Sequence, residues 1–264
     1  MMSSESDKES RRLEKRLNER FVKAMATYHL IEDDDRILVG LSGGKDSLLL
    51  LELLAKRARI LHPRFEVEAL HVRMENIHYE TDTSYLQSFC DALGVRLHVR
   101  TTRFEVEPIE QAAVPQQHPS TAARLRRQKQ PCFLCSWNRR KEMFNLAQKL
   151  GCNKIALGHH QDDILHTALM NLCFQSRFAS MPARLKMRKM PLSIIRPLCM
   201  MEEKDIRTYA ELQGYQKQQK LCPYETDSHR SDIKRLYEEM ERISPEARYS
   251  IWGALEADNK LIEE

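Results

Sequence analysis

The chain has 264 residues, 42% of them hydrophobic and 30% charged, which is long enough to bury a substantial core and ordinary for a soluble protein. No apolar run approaches the roughly 20 residues of a membrane span, and the opening Met-Met-Ser-Ser-Glu-Ser-Asp-Lys lacks the apolar stretch of a signal peptide. The expectation is therefore a cytoplasmic protein with no membrane partner, and such a compartment turns its seven cysteines toward metal or redox chemistry rather than disulfides. The net charge of +4 is modest, but Arg96, Arg100, Arg103, Arg124, Arg126, Arg127, Lys129, Arg139, Arg140 and Lys141 face only Glu105, Glu107 and Glu110 over the same stretch. That local field suits either a polyanionic partner or a solvated charged face.

In chain order, residues 1 to about 10 read as disordered. Leu13, Leu17, Phe21 and Met25 then recur every four residues, the stripe of a surface helix. Asp33 to Asp35 make a turn into a strand, Ile37 to Leu41. The chain breaks at Ser42, Gly43 and Gly44 and resumes as a helix from Asp46 to about Ile60, stopped by His62-Pro63. A strand, a tight glycine turn and a helix N-terminus form an anion site, because unpaired N–H groups and the helix dipole point at one spot. The two glycines let the backbone approach a phosphate, Lys45 adds charge, and Asp46 either caps the helix or orients a magnesium ion. A Walker A loop is excluded: Asp46 stands where Ser or Thr must follow the lysine, and Val39 stands where the first glycine belongs. The remaining alternative is a plain βα turn, which the ordered string Ser-Gly-Gly-Lys-Asp-Ser after an apolar strand argues against.

Phe65 to Val72 is a second strand, Thr81 to Leu93 a helix ended by Gly94, and Val95 to Val99 a third strand. Strands alternating with helices predict a parallel sheet with right-handed crossovers, and ligands bind such sheets beyond the strand C-termini. Phe104 to Gln130 breaks the rhythm with Pro108, Pro115 and Pro119 and a basic run from Arg124 to Lys129, and reads as an inserted excursion. Cys132-x-x-Cys135 follows, then a helix from about Ser136 to Leu150. Two thiolates at this spacing can meet one metal or cluster, or the pair can be buried and inert. Cys222, in Leu-Cys-Pro-Tyr, is the natural third ligand; Cys90, Cys152, Cys173 and Cys199 lie in or beside apolar elements and are expected in the core. Three cysteines leave one iron of a four-iron cluster open, while a zinc site completed by His118 or His229 is the alternative.

Lys154 to Leu157 is a fourth strand. Gly158-His159-His160-Gln161-Asp162-Asp163 opens a helix that runs to about Cys173, at the edge of the same expected crevice. Its paired acids either complement the helix dipole or hold magnesium on phosphate oxygens, and His159 either meets the nucleotide or packs. A basic connection (Ser176 to Met190), a fifth strand (Ser193 to Leu198), a helix (Glu202 to Leu212), a charged helix (Asp232 to Arg242) and a short last helix complete the chain. The organisation expected is a tail and helix over residues 1–30, a nucleotide-binding domain over 31–215 with an inserted loop at about 104–131, and a C-terminal segment over 216–264.

Ser42-Gly-Gly-Lys-Asp-Ser47, Pro131-Cys-x-x-Cys135, Gly158-His-His-x-Asp-Asp163 with Thr167 and Asn171, and Ile195-Arg-Pro-Leu198 followed by Glu203-Lys-Asp-Ile206 together resemble the tRNA 2-thiocytidine synthase family of the PP-loop ATP pyrophosphatase superfamily. The resemblance runs from about residue 20 to 240. It implies a Rossmann-like α/β fold, a parallel sheet flanked by helices with helical additions at both ends. It also implies an ATP- and magnesium-dependent enzyme that adenylates the C2 oxygen of anticodon-loop cytidine 32 and replaces it with sulfur. Carried onto this chain, Leu41, Ser42, Gly43, Gly44, Lys45, Asp46, Ser47, His71, Gly158, His159 and Asp163 bind the nucleotide. Lys45, Asp46 and Asp162 are catalytic, with Asp46 and Asp162 toward magnesium, and Cys132, Cys135 and Cys222 hold a [4Fe-4S] cluster. Implied partners are tRNA, gripped by Arg124 to Lys129 and the N-terminal helix, and a cysteine desulfurase or other sulfur donor. A homodimer is implied as well, although no long apolar stripe demands one. The family usually carries a second Cys-x-x-Cys near the third ligand, whereas this chain has Cys222-Pro-Tyr-Glu, which leaves uridine as an alternative target base. Two further readings stand beside it: a PP-loop ligase or amidotransferase with structural zinc, and a cluster-bearing RNA-binding or redox-sensing protein.

Overall fold

The computed structural model describes residues 2–75, 82–104, 131–216 and 229–264, the first of these through residue 7 by backbone alone. The expected insertion and its basic run, His118 and Cys222 lie outside the described residues.

The strands are β1 (Asp35–Gly40), β2 (Phe65–Met74), β3 (Arg96–Thr102), β4 (Lys154–Ala156), β5 (Arg184–Lys186), β6 (Ser193–Ile195) and β7 (Ile262–Glu263). They form one sheet in the order β3-β2-β1-β4-β6-β5-β7. All neighbours run parallel except β5 and β6. At the centre, Ile37 pairs with Val67 on one side and Lys154 on the other. Ile37, Leu38 and Val39 are at most 1% exposed. A run of consecutive apolar residues suits a central parallel strand, since both its faces are covered.

Helices α1 (Met2–Thr27), α2 (Lys45–Ala58), α3 (Thr83–Leu93), α4 (Pro131–Leu150), α5 (Gln161–Gln175), α6 (Glu203–Leu212), α7 (His229–Ile243) and α8 (Ala247–Ala257) flank the sheet. One hydrophobic cluster joins Ile37 and Val39 to residues of α1, α2, α3, α5, α6, α7 and α8. A smaller one on the opposite face joins Leu38, Leu70 and Ile155 to Leu146 and Ala147 of α4. The N-terminal helix and C-terminal helices thus share the core of the central sheet. Arg16 and Arg20 of α1 also reach Asp205 (2.8 Å) and Glu202 (3.0 Å) at the start of α6.

Several local expectations need correction. Residues 2–10, expected to be disordered, belong to α1, which starts at Met2. The expected fifth strand stops at Ile195 because Pro197 offers no N–H to a ladder. The basic connection contains β5, which folds back antiparallel on β6. Helix α4 begins at Pro131, a residue suited to the first helical position, so Cys132 and Cys135 lie within its first two turns rather than ahead of it. Cys173 is exposed, whereas Cys90, Cys152 and Cys199 are buried as expected.

The topology decides where a ligand fits. From β1 the chain moves outward through β2 and β3, then returns to β4 on the other side of β1. The strand order reverses between β1 and β4, and such a switch point opens a crevice beyond the strand C-termini.

Candidate active site

Leu41 follows β1 and is buried, its N–H held by the Leu70 carbonyl at 2.8 Å. Gly43 then adopts φ +84°, a conformation that side chains resist, and Gly44 leads into α2 in an extended one. The loop is stitched internally: Ser47 Oγ accepts from the Ser42 N–H at 3.2 Å and donates to the Gly44 carbonyl at 2.9 Å, and Ser42 Oγ lies 3.1 Å from it. The serines thus shape the turn, and the N-terminus of α2 faces the crevice. Lys45 Nζ lies 3.0 Å from Asp46 Oδ1 and 3.4 Å from Glu203 Oε1.

The second motif closes on the first. A Cβ on Gly158 would sit 3.0 Å from the Asp46 carbonyl carbon and 3.1 Å from the Ser47 nitrogen, so this glycine is where the loop after β4 lies against the start of α2. Beyond it, the His160 N–H donates to Asp163 Oδ2 at 3.2 Å, closing the first turn of α5. The His160 ring is buried, which alone would lower its pKa, yet the carboxylates of Asp162, Asp163 and Asp46 raise it above the ordinary imidazole value. His159 goes the other way. Burial, with Arg196 beside it, pushes it down to about 4. Arg196 Nε donates to His159 Nδ1 at 3.3 Å, so the neutral ring carries its proton on Nε2 and offers a donor there.

His71 is 1% exposed on β2, and its Nδ1–H donates to the Leu41 carbonyl at 2.8 Å. Burial keeps it neutral, and its Nε2 is a buried acceptor without a hydrogen bond. His71 therefore braces the end of β1 and leaves one polar atom for a ligand.

Asp162 departs most from the sequence expectation. Its Oδ1 takes a hydrogen bond from Arg248 at 2.8 Å and its Oδ2 one from the Glu203 N–H at 2.7 Å. Burial would raise this carboxyl, but His160 and Arg248 hold it far below the usual range. With both oxygens occupied, Asp162 serves as a strut between α5, α6 and α8. Asp46 Oδ1 makes no hydrogen bond beyond its ion pair with the adjacent Lys45, and a carboxylate so uncommitted to the packing would suit a hard cation. The acid that fits magnesium is Asp46.

Cys132 is exposed and Cys135 half-buried. Three residues apart on one helix, their sulfur-bearing side chains lie on one face near the start of α4. Soft donors so placed fit a shared iron or zinc ion. Among the described residues no group of three His, Cys, Asp or Glu side chains has the arrangement to hold a metal ion, and Cys222 is not among them.

Sequence reasoning missed Arg248, Arg196, Arg207 and Lys234. Arg248 lies 86 positions from Asp162, and no local pattern announces such a partner. Arg196 was legible only as part of Ile195-Arg-Pro-Leu198, without a role.

A parallel sheet with a glycine-lysine loop and a second acidic motif at its switch point defines a PP-loop nucleotide-binding protein, and the family model described as a PP-loop domain matches residues 10–233. The tRNA-cytidine(32) 2-sulfurtransferase of Bordetella avium is 33% identical over 249 residues, covering 94% of this chain and 74% of that one. Its counterpart in Pseudomonas syringae is 31% identical over 260 residues, covering 96% and 89%. The chain belongs to the PP-loop family and groups within it with these sulfurtransferases. In fold it is similar to the U34-tRNA thiolase NcsA from Methanococcus maripaludis with its [4Fe-4S] cluster, at a TM-score of 0.70 and 22% identity over 94% of this chain and 79% of that one.

Proposed function

We infer that this protein is an ATP-dependent tRNA sulfurtransferase that converts cytidine 32 of the anticodon loop to 2-thiocytidine. The observation that carries the reading is the seating of Gly158 on Asp46 and Ser47, which brings both motifs to one crevice in a chain whose relatives act on that base. The C2 oxygen of the base attacks the α-phosphorus of ATP, the bond from that phosphorus to the bridging oxygen breaks, and pyrophosphate leaves with the electron pair. A hydrosulfide equivalent then adds at C2, and AMP departs with the former C2 oxygen.

The loop N–H groups, the α2 N-terminus and Lys45 stabilise the charge that develops on the leaving pyrophosphate. Asp46 would hold magnesium on the phosphate oxygens, with Asp162 keeping the α5 terminus in place. His159 offers its Nε2–H and His71 its Nε2 lone pair to the nucleotide. Cys132, Cys135 and Cys222 would hold a [4Fe-4S] cluster, which when bound supplies an iron site for the sulfur. Arg124 to Lys129 and α1 would grip tRNA by its phosphates. A cysteine desulfurase is the class of donor proposed, and a homodimer the assembly. Among the described residues no helix is long and apolar enough to cross a membrane, and a tRNA substrate favours the cytoplasm.

The test is mass spectrometry of nucleosides from tRNA incubated anaerobically with the protein, ATP, magnesium and sulfide. The wild type should yield 2-thiocytidine, and Lys45→Ala should lower the yield about 100-fold or more. Full activity in that variant would remove the loop from the chemistry. Thiouridine in place of thiocytidine would move the target base.

A further inference from the structure

Three cations from three helices meet one carboxylate beside the loop. Glu203, at the start of α6, places Oε1 2.9 Å from Arg207 and 3.4 Å from Lys45, and Oε2 3.1 Å from Lys234 of α7. Burial would raise the Glu203 carboxyl, but Arg207, Lys234 and Lys45 overcome this and hold it at about 2. Arg207 and Lys234 are about half-exposed, so neither is committed to the core. Next to the cluster opens a cavity of about 400 Å³ lined by Gly43, Gly44, Lys45, Arg207, Glu211 and Tyr215, among others. Two glycine backbones, a lysine and an arginine thus face one space at a helix N-terminus. Glu211 is the other charge on the lining, and Asp46, Glu203 and Lys234 stand beside the cavity through their ion pairs with Lys45 and with one another.

We propose that Lys45, Arg207 and Lys234 form a diphosphate seat that binds the β- and γ-phosphates of ATP and the pyrophosphate released from them, with Glu203 as an internal placeholder for that anion. The inference rests on the reading that this chain splits ATP, and it adds two residues from outside the loop to that reaction. A diphosphate offers the bidentate oxygens that a guanidinium prefers, together with more charge than a single carboxylate. It therefore displaces Glu203 from the three cations. As the bond at the α-phosphorus breaks, the electron pair moves onto the β-phosphate, where Arg207 and Lys234 share with Lys45 the charge that develops. Arg207 and Lys234 touch the leaving group, so they act in cleavage and in release.

Calorimetric titration of the full chain with pyrophosphate plus magnesium, and separately with AMP, tests the seat without tRNA or a sulfur donor. Arg207→Ala and Lys234→Ala should each weaken pyrophosphate binding about 5- to 20-fold and leave AMP binding within about twofold, in line with the loss of one charge-assisted contact. Glu203→Gln should tighten pyrophosphate binding, because the amide no longer competes for the cations. Both truncated side chains are half-exposed, and unchanged thermal midpoints would verify the fold. Wild-type pyrophosphate affinity in the two alanine variants, or an equal loss of AMP affinity, would overturn the proposal. Absence of thiolated nucleoside beside an intact titration pattern would instead overturn the tRNA reading alone.

Discussion

Gly158 sits where a single methyl group decides whether the two motifs can meet. Its Cα lies against the peptide joining Asp46 to Ser47, and the contacts a Cβ would make, at 3.0 to 3.1 Å, are all to backbone atoms. Backbone cannot swing aside as a flexible side chain does, so Gly158→Ala must push the β4 loop off the start of α2. Overpacking of this kind costs about 1–3 kcal/mol. The expected result is a lower midpoint in urea and ATP affinity reduced about tenfold or more. A Gly158→Ala protein that binds ATP like the wild type would mean that the loops do not depend on this contact. The glycine was legible in the sequence as the start of a motif. Its reason was not, because the atom it accommodates lies more than a hundred positions away.

At the scale of elements, the site depends on how α5, α6 and α8 are held together. Arg248 of α8 and Asp162 of α5 are each 8% exposed, and Arg248 also reaches Gln161 at 3.1 Å and Glu241 at 3.0 Å. Removing one partner of a buried pair leaves a charge without compensation, at a cost of about 3–5 kcal/mol. Arg248→Ala should therefore lose stability of that order in chemical denaturation, and a loss below about 1 kcal/mol would show that water replaces the guanidinium freely. The helices themselves could be read from periodicity and stop signals, as Gly94, Gly151 and Gly214, all at positive φ, illustrate. The short strands β5 and β7 could not, since three and two residues carry too little pattern.

Across the whole molecule, the two rims of the sheet divide the work. At the strand N-termini, Lys154 is 6% exposed, 2.7 Å from Asp35 and 2.9 Å from the Leu30 carbonyl. This pair is far from the crevice in topology, at the opposite ends of β1 and β4. Lys154→Met should cost about 3 kcal/mol or more by leaving Asp35 unpaired, yet leave nucleotide affinity unchanged at temperatures where the variant is folded. A fall in affinity that tracks the loss of stability would mean that the rims are coupled through the central strands.

The sequence by itself determined the class of fold, the phosphate loop and the second motif, Gly158-His-His-x-Asp-Asp163. Those depend on bonds spanning a few residues: a glycine turn, a first helical turn, an apolar strand. Only the tertiary structure decided which carboxylate is tied up by distant partners and which cations gather on Glu203. Asp162 and Asp46 look alike in the sequence, each an acid in a first helical turn. Arg248 closes on Asp162 across 86 positions, and Glu203 donates its backbone N–H to it across 41, while Asp46 Oδ1 is left without a hydrogen bond. The difference is one of long-range closure: packing α6 and α8 onto α5 occupies both oxygens of the buried Asp162, while the half-buried Asp46 keeps, among the described residues, only its neighbour Lys45 as an ion-pair partner within 3.5 Å.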